Sequence, residues 1–408
     1  LAPRRRAAVA RRQPESAKER SMDFALTDEQ QLIVKSTRDF VRRELVPHER
    51  EVESSGVLRE ELWRPLKAKA IEAGLYAANM PSEVGGAGLE GVSWVLYEKE
   101  LGYTSYALQY TCVARPSNIL LACQGEQRER YLLPAVRGER VECLAMTEPQ
   151  AGSDLRGMKT TAVRRGGDFI INGTKHFISH ADHADFVILF AASGEEDAAR
   201  GKRKLITAFL IDKGIPGFEV RPGYQNVSHR GYTNSILQFT DCRVPAAAVL
   251  GEVHRGFEVA NTWLGATRLM VAANCLGRAE RALECARQFA VDRVQFGQQI
   301  GKFQGVSFKL ADMAVELRAA ELLTLEAAWK LSHGTATDMD MAIAKLKSSE
   351  MLAMVADEAL QIHGGMGLMS DLPLERIWRD ARIERIWDGT SEVQRHIISR
   401  ALLRPLGG

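Results

Sequence analysis

The spacing of hydrophobic positions changes twice along the chain. From residue 22 to about 141 they recur with helical period. Thr27 and Gln30 form a capping-box pair ahead of a run in which Ile33, Phe40 and Val41 share one face, ending near Pro47. Further helices are predicted over 60–73, 91–101 and 116–124, the last opening on Pro116, which a first helical turn accommodates. The stretch 81–88 is too rich in glycine for a helix interior. Between about 142 and 252 short alternating or β-branched segments take over, at 169–171, 186–190, 208–211 and 235–239. Turn signals at 165–168, Asn172-Gly173, 214–217 and Pro222-Gly223 separate them. The charged run 195–204 has no apolar face and is predicted to be an exposed loop. From Phe257 the helices lengthen, over 257–292, 304–333, 338–362 and 391–402, and their apolar stripes require mutual burial in a bundle. The expected class is therefore α+β, with a helical domain over 22–141, a β domain over 142–252 and a helical bundle over 253–408.

Composition narrows this picture. A chain of 408 residues with 45% hydrophobic content can bury a core spread over two or three domains. No apolar stretch approaches the ~20 residues of a membrane-spanning helix, so no membrane partner is expected. The net charge of +2 is dominated by residues 1–21, which hold seven basic groups and two acidic ones. Without them the chain has 47 basic and 50 acidic residues, which does not suggest nucleic acid as a partner. That leader lacks the apolar core of a secretion signal and reads as a disordered tail or an over-extended start. A cytoplasmic location is expected, or the mitochondrial matrix if the Arg-rich leader is a transit peptide. Cys112, Cys123, Cys143, Cys242, Cys275 and Cys285 form no CxxC pair and read as small buried hydrophobes in a reducing compartment.

Five segments carry candidate chemistry. Met146, Thr147 and Ser153 lie in a small-residue turn (145–154) whose N–H groups and hydroxyls suit the phosphates and carbonyl edges of a dinucleotide. In 171–179, Asn172-Gly173 reads as a hairpin turn and Phe177 as core, with Ser179 at the end. His176, His180 and His183 lie close together without a carboxylate or Cys at ligand spacing, and a solvated cluster is preferred to a metal site. Arg293 ends a helix and Phe296-Gly297 makes its stop, shortly before Gln304. Gln361 precedes Gly364 and Gly365, glycines that permit positive φ at a helix end. Finally, Trp387-Asp388-Gly389-Thr390-Ser391-Glu392 places an acid before a glycine turn.

In this order, the segments resemble the acyl-CoA dehydrogenase family over residues 22–408. The resemblance implies a helical domain, a β domain and a C-terminal four-helix bundle, with FAD as cofactor. It places Met146 and Thr147 along the flavin ring and Ser153 at the FAD pyrophosphate or the bound thioester. Phe177 stands where the family has an aromatic residue, often Trp, and Ser179 stands near flavin N5. Arg293, Phe296 and Gln304, with Gln361, Gly364 and Gly365, are implied to touch the FAD of a neighbouring subunit, so the complete site exists in an oligomer, expected to be a tetramer. Thr390 and Glu392 are implied as further FAD contacts.

The catalytic inference rests on Asp388. The family motif has Glu as the base that takes the α-proton while hydride leaves the β-carbon toward N5. The thioester carbonyl is polarised by a ribityl hydroxyl and the backbone N–H of the base residue, with Gly389 also beside the substrate. Asp is shorter than Glu by one methylene, about 1.5 Å, and misplacement on that scale costs ~100-fold in rate. A shifted backbone, a bulkier substrate or a related reaction would each account for it. The alternative family position for the base holds Thr267, so Asp388 is the candidate. Arg268 matches an arginine that meets the CoA portion, although Gly265 replaces an aspartate common three residues earlier; a helix Arg snorkelling to the surface is an equal reading. The expected activity is dehydrogenation of an acyl-CoA thioester, reoxidised by an electron-transferring flavoprotein. The alternatives are a flavin oxidase acting on a nitroalkane or acyl-CoA, and a non-enzymatic flavin-binding, DNA-associated protein.

Overall fold

The computed structural model describes residues 25–198 and 201–406, so the expectation for residues 1–21 lies outside the described residues. Helices α1 (Asp28–Phe40), α2 (Glu49–Ser55), α3 (Glu60–Glu72), α4 (Gly91–Leu101), α5 (Tyr106–Cys112) and α6 (Leu133–Val136) come first. The capping box closes both ways: Gln30 N–H reaches Thr27 Oγ1 at 3.2 Å and Thr27 N–H reaches Gln30 Oε1 at 3.1 Å. The helix predicted over 116–124 is instead a 3₁₀ turn, Asn118–Ala122; Ser117 caps Ile119 and Cys123 is already extended.

Strands β1 (Glu142–Ala145), β2 (Thr161–Arg165), β3 (Asp168–Ser179), β4 (Phe186–Ala198), β5 (Gly201–Asp212), β6 (Phe218–Pro222), β7 (Asn234–Pro245) and β8 (Val249–Leu250) form one sheet. Its order is β6-β7-β3-β2-β4-β5-β8, with β1 parallel to β4. Two turn and loop expectations are corrected here. The described parts of the charged run, 195–198 and 201–204, belong to the β4–β5 ladder, where Glu195 faces Lys204, Glu196 faces Arg203 and Asp197 faces Lys202. Opposite charges across a ladder stabilise strands that have no apolar face, a pairing that periodicity along one strand does not reveal. Asn172-Gly173 lies inside β3, not at a hairpin tip. The irregularity sits opposite it in β7, where Asp241 (φ 44°) forms a bulge tied to the Asn172 amide.

The last third comprises α7 (Gly256–Asp292), α8 (Gln304–Ser332), α9 (Asp338–His363), α10 (Leu374–Glu384) and α11 (Ser391–Leu403). α7, α8 and α9 pack on one another, and α10 and α11 close against α9. Phe296-Gly297 does more than stop α7. It forms a tight turn joining β9 (Val294–Gln295) to β10 (Gln298–Gln299), with φ of 51° and 78°. No helix among the described residues is long and apolar enough to cross a membrane. Trp387 and Met270 pack against both the N-terminal helical core and the bundle core, so the segment after α10 lies at the junction of the two.

Candidate active site

The β3–β7 register slips between Lys175 and Ile178, adding one residue to β3. Within that bulge Phe177 adopts φ 55° and is 54% exposed, which overturns its reading as core. A bulky aromatic in the left-handed region is an outlier of the kind that marks functional sites. The bulge also gathers the segment after β1: His176 N–H donates to Thr147 O at 3.0 Å, and Lys175 Nζ donates to Met146 O and Glu148 Oε1, both at 2.8 Å. Glu148 in turn accepts from the N–H groups of Lys159 and Thr160, and these contacts hold its carboxyl below the ordinary range against the cost of burial. Met146, Thr147, Phe177 and Ser179 are thus brought to one place. Ser153 lies in the exposed turn that follows.

Asp388 occupies the loop between α10 and α11, with φ 50°; Gly389 follows at φ 89°, and a Cβ there would come within 2.6 Å of Gln394 Nε2. Asp is among the residues that tolerate this backbone region, which Glu visits less readily. Burial pushes the Asp388 carboxyl up to about 6, with the Glu384 charge adding to it, against the pull of Lys345, Arg268 and a hydrogen bond from Thr267. Gln394 Nε2 donates to Gly389 O at 2.8 Å, and Lys345 Nζ donates to the same carbonyl at 2.9 Å. Thr390 Oγ1 accepts from Val393 N–H and caps α11, and Glu392 sits exposed in that first turn. Among the described residues no protein acceptor takes the Asp388 N–H.

An aromatic cluster connects the two groups. The Tyr232 hydroxyl lies beside Ser179. Tyr232 packs edge-on to Tyr106 (4.9 Å) and Tyr110 (5.3 Å), and Tyr106 packs edge-on to Trp387 (4.8 Å). Beneath Trp387 lies Glu384, fully buried, accepting from Trp387 Nε1 at 2.7 Å and paired with Arg278 and His229. The Arg278 charge, with the His229 ring beside it, holds Glu384 down to about 2 although burial opposes it. Sequence reading missed Tyr106, Tyr110, Tyr232, His229, Glu384 and Lys345. Lys345 is fully buried while Lys347, two residues on, pairs at the surface with Glu316. Only helical phase separates these two lysines, and the sequence alone does not anchor that phase.

The remaining sequence candidates form a second, exposed group at the far end of α9. Arg293, Phe296, Gln304, Gln361, Gly364 and Gly365 are all exposed, Phe296 at 94%. Phe289 near the end of α7 stacks on His363 at 4.3 Å, tying the two helix ends together. Eighteen residues separate Lys345 from His363, so this group lies about 27 Å along α9 from the Asp388 loop. Arg268 stays near that loop, its Nη1 at 3.1 Å from Asp338 Oδ1.

The histidine cluster needs correction as well. The turn after β3 brings the Asp182 carboxylate beside His180 and His183, with ligand atoms within 4.8 Å of one another. Asp182 already accepts from Thr233 Oγ1 at 2.6 Å, and His180 Nε2 lies 3.3 Å from Thr111 Oγ1. His180 is buried and stacked on Tyr110 at 5.1 Å, and burial lowers its pKa to about 4.

Three domain families match the chain: acyl-CoA dehydrogenase N-terminal domain at residues 27–139, middle domain at 143–242 and C-terminal domain at 254–403. A probable acyl-CoA dehydrogenase of Bacillus subtilis, YngJ, is 36% identical over 389 residues, covering 94% of this chain and 100% of its own. The solved butyryl-CoA dehydrogenase of Megasphaera elsdenii superposes with a TM-score of 0.84 at 36% identity, covering 94% of this chain and 100% of that one. The FAD complex of PigA superposes with a TM-score of 0.85 at 29% identity, covering 93% and 99%. Matched in all three domains and along nearly its full described length, the chain belongs to the acyl-CoA dehydrogenase family of FAD-dependent oxidoreductases.

Proposed function

We propose that this chain dehydrogenates an acyl-CoA thioester at Cα–Cβ, with Asp388 as the base that takes the α-proton. The observation that carries the reading is the Asp388 loop: an acid raised to about 6, in a left-handed turn at the domain junction, across an aromatic cluster from Ser179. A base with a pKa in this range is ionised at neutral pH yet retains proton affinity. The Asp388 N–H, with no protein acceptor among the described residues, is the donor for the thioester oxygen.

The residues present fit FAD. The exposed face of Phe177 offers a flat apolar surface, Thr147 and Ser179 supply hydroxyls beside it, and Gly152 has open space around the position of a Cβ. Met146, Thr147, Phe177 and Ser179 would hold the ring system, and Ser153 the pyrophosphate or the thioester. FAD, when bound, supplies the acceptor for the β-hydride at N5. Thr390 and Glu392 would add contacts from the first turn of α11. Arg268, beside the Asp388 loop, would meet the CoA portion, and Gly389 would let the thioester approach the backbone. Tyr106 packs against Trp387, with Tyr232 and Tyr110 behind it, and this filling of the junction by rings favours a short or compact acyl group.

The exposed group of Arg293, Phe296, Gln304, Gln361, Gly364 and Gly365 would serve the FAD of a neighbouring copy, since about 27 Å of α9 separates it from its own Asp388 loop. A homotetramer is the assembly we propose, reoxidised by an electron-transferring flavoprotein. The domain limits 22–141, 142–252 and 253–408 are proposed on the same reading. Replacing Asp388 with Asn tests the mechanism. The variant is expected to retain FAD and to lose ~10²–10⁴-fold in the rate of anaerobic flavin bleaching by an acyl-CoA. Bleaching at the wild-type rate would remove Asp388 from the chemistry.

A further inference from the structure

We propose that Lys345 is a positioning residue for the catalytic loop: its buried ammonium holds the Gly389 carbonyl and supplies the positive charge that keeps Asp388 ionised. The inference rests on the reading of Asp388 as the base.

α9 delivers Lys345 to the domain junction with its side chain fully buried, and its Nζ donates to Gly389 O at 2.9 Å. A buried ammonium needs a compensating negative charge. Among the described residues no carboxylate forms a direct ion pair with it. Burial lowers its pKa, and the carboxylates acting against that are Glu384 from α10, Asp388 and Glu350 one turn along α9, with the Cys275 thiol of α7 nearby. Two of the three carboxylates are already committed. Glu384 is paired with Arg278 and His229 and accepts from Trp387. Glu350 pairs with Arg385 and Arg395 and accepts from Ser391 Oγ. Asp388 is the acid left for Lys345.

From its other sides Asp388 faces Thr267 and Arg268 of α7, Glu384 of α10, the Tyr106 and Tyr110 hydroxyls of α5, and Tyr232. Arg268 is shared with Asp338, whose side chain is exposed, so its pull on Asp388 is screened more than that of Lys345. The contact to Gly389 O has a second consequence. With Gln394 it pins the carbonyl that follows the base, fixing a turn of two consecutive positive-φ residues.

The sign follows from the chemistry. The base works ionised, so flavin reduction is lost as pH falls through the Asp388 pKa. Removing a nearby cation raises that pKa and moves the acid limb upward. The experiment is a pH profile of kcat/KM for anaerobic flavin reduction by a short acyl-CoA, using FAD-loaded wild type, Lys345→Met, Lys345→Gln, Lys345→Arg and the surface control Lys347→Met. Both neutral variants are expected to show the acid limb about one pH unit higher, a loss of about fivefold at pH 6 that narrows toward pH 8. Lys345→Arg restores the limb toward its wild-type position, and Lys347→Met leaves it unchanged. An unshifted limb in a FAD-loaded neutral variant overturns the proposal. Loss of FAD from both neutral variants also counts against it, because the proposed ring contacts Met146, Thr147, Phe177 and Ser179 lie outside the turn that Lys345 pins. Asp388→Asn measured in parallel separates the two readings. If it is inactive while the Lys345 limb stays put, only Lys345 is dismissed; if it bleaches normally, the base assignment fails and this inference with it.

Discussion

The Asp388 junction and the exposed end of the bundle are built on opposite principles, although α9 runs through both. At the junction the charges are answered within the chain: Glu384 by Arg278, with His229 beside it, Glu350 by Arg385 and Arg395, the Asp388 loop by Lys345 and Gln394. At the far end Phe296 stands 94% exposed in a tight turn, with Arg293 and Gln361 exposed nearby. Single large apolar side chains on a surface are ordinary. One held on a left-handed turn beside an arginine and a glycine-ended helix fits the neighbouring-copy role we propose for it. On that reading the junction depends on the fold of one chain, and the bundle end would depend on assembly.

Substitutions can break or sharpen this contrast. The largest effect on folding is expected at Glu384. Glu384→Gln leaves Arg278 buried without its counter-charge and should destabilise the FAD-loaded protein by about 3–5 kcal/mol in denaturant unfolding. Because Glu384 is held down to about 2 from 4.5, its contribution is complete above pH ~4.5 and is lost as pH falls toward 2, so the deficit of the variant should shrink over that window. Wild-type stability at pH 7 would show that the junction is not held by charge. At the bundle end the expected pattern is the reverse. Phe296→Ala should leave the secondary structure and monomer fold intact while weakening FAD retention about tenfold, the 1–2 kcal/mol of a buried aromatic anchor, and shifting sedimentation toward smaller species. An unchanged oligomer with unweakened FAD would reassign that end to plain solvent exposure. The smallest effect is expected at Asp338, the 82%-exposed partner of Arg268. Asp338→Ala should cost less than about 1 kcal/mol of stability and leave the limiting rate of flavin reduction unchanged. A larger loss would make Arg268 a structural residue and weaken its assignment to CoA.

Strained backbone gives the same partition. Eight non-glycine residues among those described have positive φ, and Phe177, His180, Phe296 and Asp388 are four of them. All four lie in segments that sequence reading had singled out for their chemistry. None of the strain was visible there: Phe177 read as core, and Asp388 read as a shortened Glu. In the structure both are residues placed by a bulge or a turn, and Asp at position 388 suits a left-handed backbone that a longer acid would resist.

The sequence by itself determined the order of the layers. Helical and alternating periods locate α1, α3, α4, α7, α8, α9 and α11 and parts of four strands, because each element exposes its pattern locally. It also determined which short segments carry chemistry, through residues that an ordinary turn does not require. The tertiary structure decided what no local pattern contains. Cross-strand charges made 195–198 and 201–204 a ladder, a slipped register brought Phe177 to the surface, and the folding of α10 against α7 and α9 put Glu384, Arg278 and Lys345 beneath Asp388. Those outcomes depend on partners in other strands and helices, whose distances are set by packing and not by spacing along the chain.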